Sequence, residues 1–432
     1  MERTTALNAD KNYVWHPFTQ MLTADEPLHI SRAEAAMLYA SDGKEYIDAN
    51  SSWWVNVHGH GHPHIGAAIA AQFQQLDHVI FAGATHTSAI QLAERIVHIL
   101  PSTLRKVFFS DDGSTAVEVA LKMAFQFWHN KGENRQRIIA IKGAYHGDTF
   151  GAMSIGQRGY FNEPFEHLFF DVDFIPFPSA ENAMESLAKA RELLATGEIA
   201  AIIVEPLIQG SAGMCMYSSD WLDQLVALCH EHATLVIFDE VMTAWGRTGK
   251  LFAMNHCWNT PDIVCLSKGL TGGTLPLGLT VATDNIYEAF LHPEKNKALL
   301  HGHSFTGNAL ACAAANASLD LFELPETWEN IEWIQEQHLN FATQLKKWPK
   351  LVYHIAVCGT ILRFEIVSED GNGYFASIRD EAYRFFIENG CLIRPLGNVI
   401  YLNPPYCISE EELKKLYRVL TTFLNQLVVK GN

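Results

Sequence analysis

Apolar residues fall along the chain in two alternating kinds of run. Short continuous runs sit in Lys106–Ser110, Ile138–Ile141, Ala200–Val204, Leu235–Phe238, Ile263–Leu266 and Leu279–Ala282. Runs of this length, bounded by polar residues, predict strands buried on both faces. Between them, apolar residues recur at helical spacing in Ser88–Leu100, in the stretch from Thr115 to Trp128, in Trp221–His232 and in Ala309–Phe322. The alternation predicts an α/β fold with a mostly parallel central sheet flanked by helices. Beyond residue 322 the pattern shifts. Helices over Trp328–Trp348, Ala376–Asn389 and Ser409–Val429 are separated by short strands near Thr360–Ile366 and Val399–Leu402, as in a smaller α+β domain. Near the start, Asp42-Gly43-Lys44 divides Met37–Asp48 into a β-hairpin, and Trp15–Met21 reads as an ordered loop. The expected division is an N-terminal segment 1–55 joining the small domain, a large domain 56–322 and a small domain 323–432.

Two of the predicted strands end in charge. Leu235–Phe238 runs into Asp239-Glu240, and Ile263–Leu266 runs into Ser267-Lys268-Gly269 before a Gly-rich turn. Lysine is seldom buried without a partner, so the pair suggests a polar site at the strand ends of the sheet. Such a lysine can hold pyridoxal phosphate (PLP) as a Schiff base while an Asp keeps the ring nitrogen protonated. The plain alternative is a snorkelling surface lysine and a helix-capping Asp. Asp111-Asp112-Gly113-Ser114 forms a turn between a strand and a helix expected to begin at Thr115, with Thr115 and Glu118 as a capping box. That geometry suits a phosphate, and equally an ordinary capped helix. Tyr145, at the end of the Ile138–Ile141 strand, can stack on a planar ring or simply pack.

Ser51–His60 reads as extended, which would point Trp53 and Trp54 to opposite sides and aim one at a cavity. His58, His60, His62 and His64 would share a face of a strand, so a metal site is conceivable. Gly59, Gly61 and Pro63 interrupt the run with no carboxylate or thiol between them, which favours a loop with hydrogen-bonded or solvated histidines. Gly249-Lys250 lacks the remaining residues of a phosphate-binding P-loop, and Gly59-x-Gly61 lacks the third glycine of a dinucleotide fingerprint.

Composition narrows the class. The chain has 432 residues, 48% of them hydrophobic, and a net charge of −17, which argues against a general nucleic-acid binder. Met1–Asn12 is polar, without the apolar stretch of a signal peptide, and no run approaches a membrane span. Eight cysteines without a CxxC pair fit reduced thiols in the cytoplasm better than a disulfide framework or a zinc site.

Taken in order, Ser52-Trp53-Trp54, Asp112-Gly113-Ser114, Tyr145-His146-Gly147, Asp239-Glu240-Val241, Ser267-Lys268-Gly269 and His301-Gly302-His303-Ser304-Phe305 resemble the motifs of class III PLP-dependent aminotransferases across nearly the whole chain. Within that class, Trp15-His16-Pro17-Phe18, Ser51–Trp54, Ile393–Gly397 and Tyr401–Pro405 are similar to the branch that aminates 8-amino-7-oxononanoate in biotin biosynthesis.

The resemblance implies a fold-type I PLP enzyme working by ping-pong double displacement, with S-adenosylmethionine as amino donor. It also implies a homodimer with active sites at the subunit interface. Carried onto this chain, it makes Lys268 the cofactor lysine and Asp239 the partner of the ring nitrogen. Gly113 and Ser114 bind the phosphate and Tyr145 covers the ring. Gly302, His303 and Ser304 reach across from the partner subunit, with the Ser304 hydroxyl on the phosphate. Phe18, Trp53, Trp54 and Tyr145 line the substrate pocket, Arg394 takes the substrate carboxylate, and Arg247 lies near the substrate channel. Phe18 stands where many relatives have Tyr, Ser304 where Thr is usual and Ala309 where Pro is common. The first leaves lysine open as an alternative donor. The competing readings are another class III transaminase, acting on ornithine, 4-aminobutyrate or a polyamine, and a cofactor-binding protein without catalysis.

Overall fold

The computed structural model describes residues 2–368 and 376–430. Its central sheet has seven strands, in the order Leu104–Ser110, Gly278–Thr283, Ile263–Leu266, Leu235–Asp239, Ile199–Val204, Arg137–Ile141 and Val172–Ile175. Neighbours pair parallel except Gly278–Thr283, which is antiparallel to both strands beside it. The cause is the short link Ser267–Leu277. A parallel return needs a crossover of about a dozen residues or more, usually a helix, and this link holds only a 3-10 turn.

Both faces of the sheet are apolar, as the continuous runs require. Val236 and Phe238 pack on one face with Leu92, Ile96, Leu222 and Leu225 of the helices Thr87–Ile99 and Ser219–Glu231. Leu235 and Ile237 pack on the other with Val117, Leu121 and Ala124 of the helix Gly113–Lys131. Each of the larger of these side chains, fully buried, contributes about 1.5–3 kcal/mol. The parallel strands therefore deliver Ser110, Ile141, Val204, Asp239 and Leu266 to one edge, where the connecting loops carry the polar residues.

The N-terminal hairpin is present, with Met37–Ala40 antiparallel to Glu45–Asp48. It joins Ile30–Glu34 on one side and the C-terminal strand Cys391–Leu392 on the other. A further sheet, Val352–Cys358, Ile361–Ile366 and Val399–Leu402, lies against the helix Pro325–Leu345. No helix among the described residues is long and apolar enough to cross a membrane.

Local expectations are corrected at several points. The helix after the Asp111 turn begins at Gly113, not Thr115. Asp112 is the cap: its Oδ1 accepts from the Thr115 amide at 2.8 Å, and Thr115 Oγ1 accepts from the Asp112 amide at 2.9 Å. Glu118 lies a turn further on, where its carboxylate accepts from Gly151 and Ala152 amides instead. Ser51–Trp54 is a left-handed turn and not an extended piece. The histidines that follow do not share a strand face, in keeping with the favoured loop reading of hydrogen-bonded histidines. His58 meets Ser318, His60 meets Asp48 and His64 meets Asp320. Among the described residues no group of three or more His, Cys, Asp or Glu side chains is placed to hold a metal ion. The helix Arg3–Tyr13 has no buried residue, so no apolar stripe announced it.

Candidate active site

Lys268 starts the 3-10 turn Lys268–Thr271 with φ of 49°, a left-handed value that a side-chain-bearing residue holds only when its surroundings enforce it. The enforcement is local. Trp245 Nε1 donates to the Ser267 carbonyl at 3.0 Å, and Ser267 Oγ donates to the Leu277 carbonyl at 2.7 Å. Gly269 then packs so closely on Val57 and Trp245 that a Cβ there would lie 2.9 Å from one and 3.0 Å from the other. The amine of Lys268 lies 4.5 Å from the centre of the Trp54 ring. No carboxylate among the described residues is within ion-pair distance of it. Burial lowers its pKa to about 8, against the opposing pull of Asp239 and Glu205 and with a smaller push from Arg247.

Asp239 is buried at the end of its strand, and both carboxylate oxygens are engaged. Oδ2 accepts from His146 Nδ1 at 2.7 Å and Oδ1 from the Val241 amide at 3.1 Å. The other ring nitrogen of His146 is buried without a partner among the described residues. Beside it, Tyr145 donates its hydroxyl to Asp148 at 3.0 Å. Burial, followed by the charge of Asp148, pushes the phenol well above its usual range. The Tyr145 amide is held by Glu205 Oε1 at 3.0 Å, while Glu205 Oε2 accepts from the Gly210 amide at 2.9 Å. Glu205 is fully enclosed, and burial pushes its pKa up to about 7.

His146 and Glu205 were not singled out from sequence. Glu205 carried a readable signal, since it ends a buried strand in charge just as Asp239 does. His146 carried none beyond its place next to Tyr145.

Gly113 and Ser114 form the first turn of their helix, where backbone amides have no intrahelical acceptor. A Cβ on Gly113 would lie 2.7 Å from Val241, and one on Gly147 would lie 2.1 Å from Ser114 Oγ. The helix start, the Tyr145 loop and the end of the Asp239 strand thus converge to contact.

The substrate-side residues form a second group. Trp54 is 4% exposed and Trp53 is 43% exposed, so Trp53 faces outward. Phe18 meets the Trp53 ring edge-on at 5.5 Å. The guanidinium of Arg394 sits 5.2 Å from the centre of the same ring, with no carboxylate paired to it among the described residues. Arg247 is buried behind this group. It donates to the carbonyls of Pro404 at 2.9 Å and Trp54 at 3.4 Å, and lies 5.1 Å from the Tyr406 ring centre.

The His301–Ser304 turn stands apart within the single chain. Gly302 and Ser304 are exposed, and His303 lies 3.4 Å from Asp111 and 3.0 Å from His301. Its hydrogen bonds and ring contacts do not reach Lys268, Asp239 or Tyr145.

These residues fit pyridoxal phosphate. Uncapped amides at a helix start suit the phosphate, a buried carboxylate already bonded to an imidazole suits the ring nitrogen, and a lysine with a depressed pKa suits the aldehyde.

Comparison with known proteins agrees with this geometry. The family model described as aminotransferase class-III matches residues 21–424. An adenosylmethionine-8-amino-7-oxononanoate aminotransferase from Synechococcus elongatus is 47% identical over 96% of this chain and 99% of its own length. The crystal structure of the enzyme of that name from Methanocaldococcus jannaschii superposes with a TM-score of 0.91 at 37% identity, covering 98% of this chain and 99% of that one. An amine transaminase from an uncultivated Pseudomonas species, in its PLP-bound form, gives a TM-score of 0.90 at 29% identity, covering 96% and 98%.

Proposed function

The chain belongs to the class III aminotransferases, and from that premise we propose that it converts 8-amino-7-oxononanoate to 7,8-diaminononanoate with S-adenosylmethionine as amino donor, a step of biotin biosynthesis. It is a PLP-dependent transaminase of fold type I. The observation that carries the choice of acceptor is Arg394. Its guanidinium, free of any carboxylate among the described residues, lies 5.2 Å from the ring centre of Trp53, while the ring of the adjacent Trp54 lies 4.5 Å from the Lys268 amine. A long apolar chain ending in a carboxylate matches those rings, with a cation at its far end.

The proposed roles follow from the placements. Gly113 and Ser114 hold the cofactor phosphate, Asp239 faces its ring nitrogen, and Tyr145 covers its ring. Bound there, pyridoxal phosphate supplies an electron sink for the carbon that carries the amine. With its pKa lowered to about 8, Lys268 holds a far larger share of neutral amine near neutral pH than an ordinary lysine does. It takes the proton from the donor's amine-bearing carbon and, in the second half-reaction, delivers one to C7 of the oxononanoate. Trp53, Trp54 and Phe18 keep water from the aliphatic part of the substrate.

The proposed working form is a homodimer in the cytoplasm. In a dimer the exposed Gly302, His303 and Ser304 can complete the partner's site, with the Ser304 hydroxyl on its phosphate. The neighbouring Phe305 is 62% exposed in the single chain, a large apolar surface consistent with burial there.

A second reading keeps the acceptor and changes the donor to lysine. It is favoured by Phe18, which offers the donor an apolar edge beside Trp53 and no hydroxyl. The test is to assay 7,8-diaminononanoate formation with S-adenosylmethionine and, in parallel, with lysine. Product with S-adenosylmethionine supports the proposal, and product with lysine alone changes the donor. Amination of ornithine or 4-aminobutyrate products but not of the oxononanoate overturns the acceptor. Replacing Arg394 by alanine is expected to raise KM for the oxononanoate about 10–100-fold with kcat little changed. A hydrogen bond to a charged group is worth about 1.5–3 kcal/mol, and steady-state kinetics on the two proteins checks the split.

A further inference from the structure

Three residues without the freedom of glycine adopt left-handed backbone within one short stretch: Ser51 with φ of 47°, Ser52 with 59° and Trp54 with 66°. Each is unfavourable for an L-residue, so the surroundings must hold the stretch in place. Buried Asp48 does so from below. Its Oδ2 accepts from the Ser52 amide at 2.6 Å and the Ser52 hydroxyl at 3.0 Å, and lies 2.9 Å from His60 Nε2. Its Oδ1 accepts from the Asn50 amide at 3.3 Å. Ser51 Oγ donates to the Asn403 carbonyl at 2.9 Å, and Trp54 Nε1 donates to the Tyr401 hydroxyl at 3.0 Å.

Asn50 extends the same network to the other end of the site. It is buried, its Nδ2 donates to the Tyr401 carbonyl at 3.1 Å, and its Oδ1 accepts from the Arg394 amide at 2.7 Å. The consecutive rings of this stretch meet two different groups of the proposed site. Trp54 lies at the amine of Lys268, 4.5 Å away, and Trp53 lies 5.2 Å from the guanidinium carbon of Arg394.

We propose that Asp48–Trp54 is a ruler that fixes the distance between the reacting carbon and the carboxylate site, with Asp48 and Asn50 as positioning residues, so that the enzyme selects carboxylate substrates by chain length. This rests on the roles given above to Lys268 and Arg394, and not on the identity of the acceptor. A segment strained at three positions, pinned by two buried side chains and bonded to the backbone of Arg394, cannot lengthen or shorten the pocket without breaking several of these bonds.

The experiment presents the PLP-loaded enzyme with ω-amino carboxylates from 4-aminobutyrate to 9-aminononanoate. It reads the single-turnover loss of the cofactor's visible absorbance, beside amination of 8-amino-7-oxononanoate. The wild type is expected to show an optimum at one length, falling by about tenfold or more for one methylene either way. Asp48→Asn and Asn50→Ala are expected to flatten the optimum to within about threefold. Asn50→Ala breaks the bonds to the Tyr401 carbonyl and the Arg394 amide and leaves Asp48 in place, so it carries the test where Asp48→Asn fails to fold. A wild type without a length optimum, or an Asn50→Ala protein that keeps it sharp, overturns the ruler. A sharp wild-type optimum that the variants flatten, with 8-amino-7-oxononanoate left untouched, overturns the acceptor and upholds the ruler.

Discussion

Replacing Lys268 by alanine is expected to lower kcat by ~10⁴-fold or more, with the fold and the phosphate site intact. General acid–base catalysis alone contributes about 10²–10⁴-fold, and loss of the proposed covalent link to the cofactor adds to it. Circular dichroism should be unchanged, because the Lys268 amine makes no ion pair with a carboxylate among the described residues. Near-wild-type turnover in this variant would remove Lys268 from the mechanism. The same amine predicts a pH dependence. Capture of pyridoxal phosphate by the cofactor-free protein requires the neutral amine, so its rate rises with pH until the amine is deprotonated. With the pKa lowered to about 8, chiefly by burial, the rise levels off near pH 8. An ordinary lysine would keep gaining about tenfold per pH unit up to about pH 10. Stopped-flow absorbance across that range separates the two.

The sequence made the ends of the site legible because burial and charge are local properties. Lys268 and Asp239 stood out as charges closing apolar strands, and both lie where those strands end at one edge of the sheet. Gly113 and Ser114 were readable as a strand–turn–helix start, although the cap was assigned to the wrong residue. Thr115-x-x-Glu118 matches the capping pattern better than Asp112-x-x-Thr115 does, and the register of the preceding turn overrides it.

What stayed hidden depends on partners distant in the chain. Ser51–Trp54 looked extended because nothing nearby shows that Asn403 accepts from Ser51 or that Asn50 reaches Arg394. The pairing of His146 with Asp239 and of Glu205 with the Tyr145 amide likewise joins loops from separate strands. The antiparallel Gly278–Thr283 strand was foreseeable from the short link before it, yet its apolar run looks like its parallel neighbours, since both kinds are buried on two faces here. The partners of Arg247 are likewise distant in the chain. Its guanidinium donates to the Pro404 and Trp54 carbonyls, contacts that its place in the motif does not show.

Asp239→Asn separates charge from shape at the other pole of the site. The amide oxygen can still accept from His146 or from the Val241 amide, so the loops that meet at this strand end should keep their places. What is lost is the unit negative charge that the proposed role sets beside the ring nitrogen. A charge pair at about 4 Å in a partly screened site is worth ~4 kcal/mol, which corresponds to a fall of ~10³-fold in kcat for both half-reactions. Phosphate binding and the link to Lys268 do not require this carboxylate, so the variant should bind the cofactor and still turn over slowly. Retention of wild-type kcat would mean that the ring nitrogen is not served by Asp239. The variant also moves Lys268 in a defined direction. The charge of Asp239 opposes the lowering of the Lys268 pKa by burial. Removing that charge lowers the pKa further, because the ammonium form loses a stabilising neighbour. Cofactor capture by the variant should therefore level off below the wild-type value of about 8. A shift upward would show that the two groups do not interact as their placement requires.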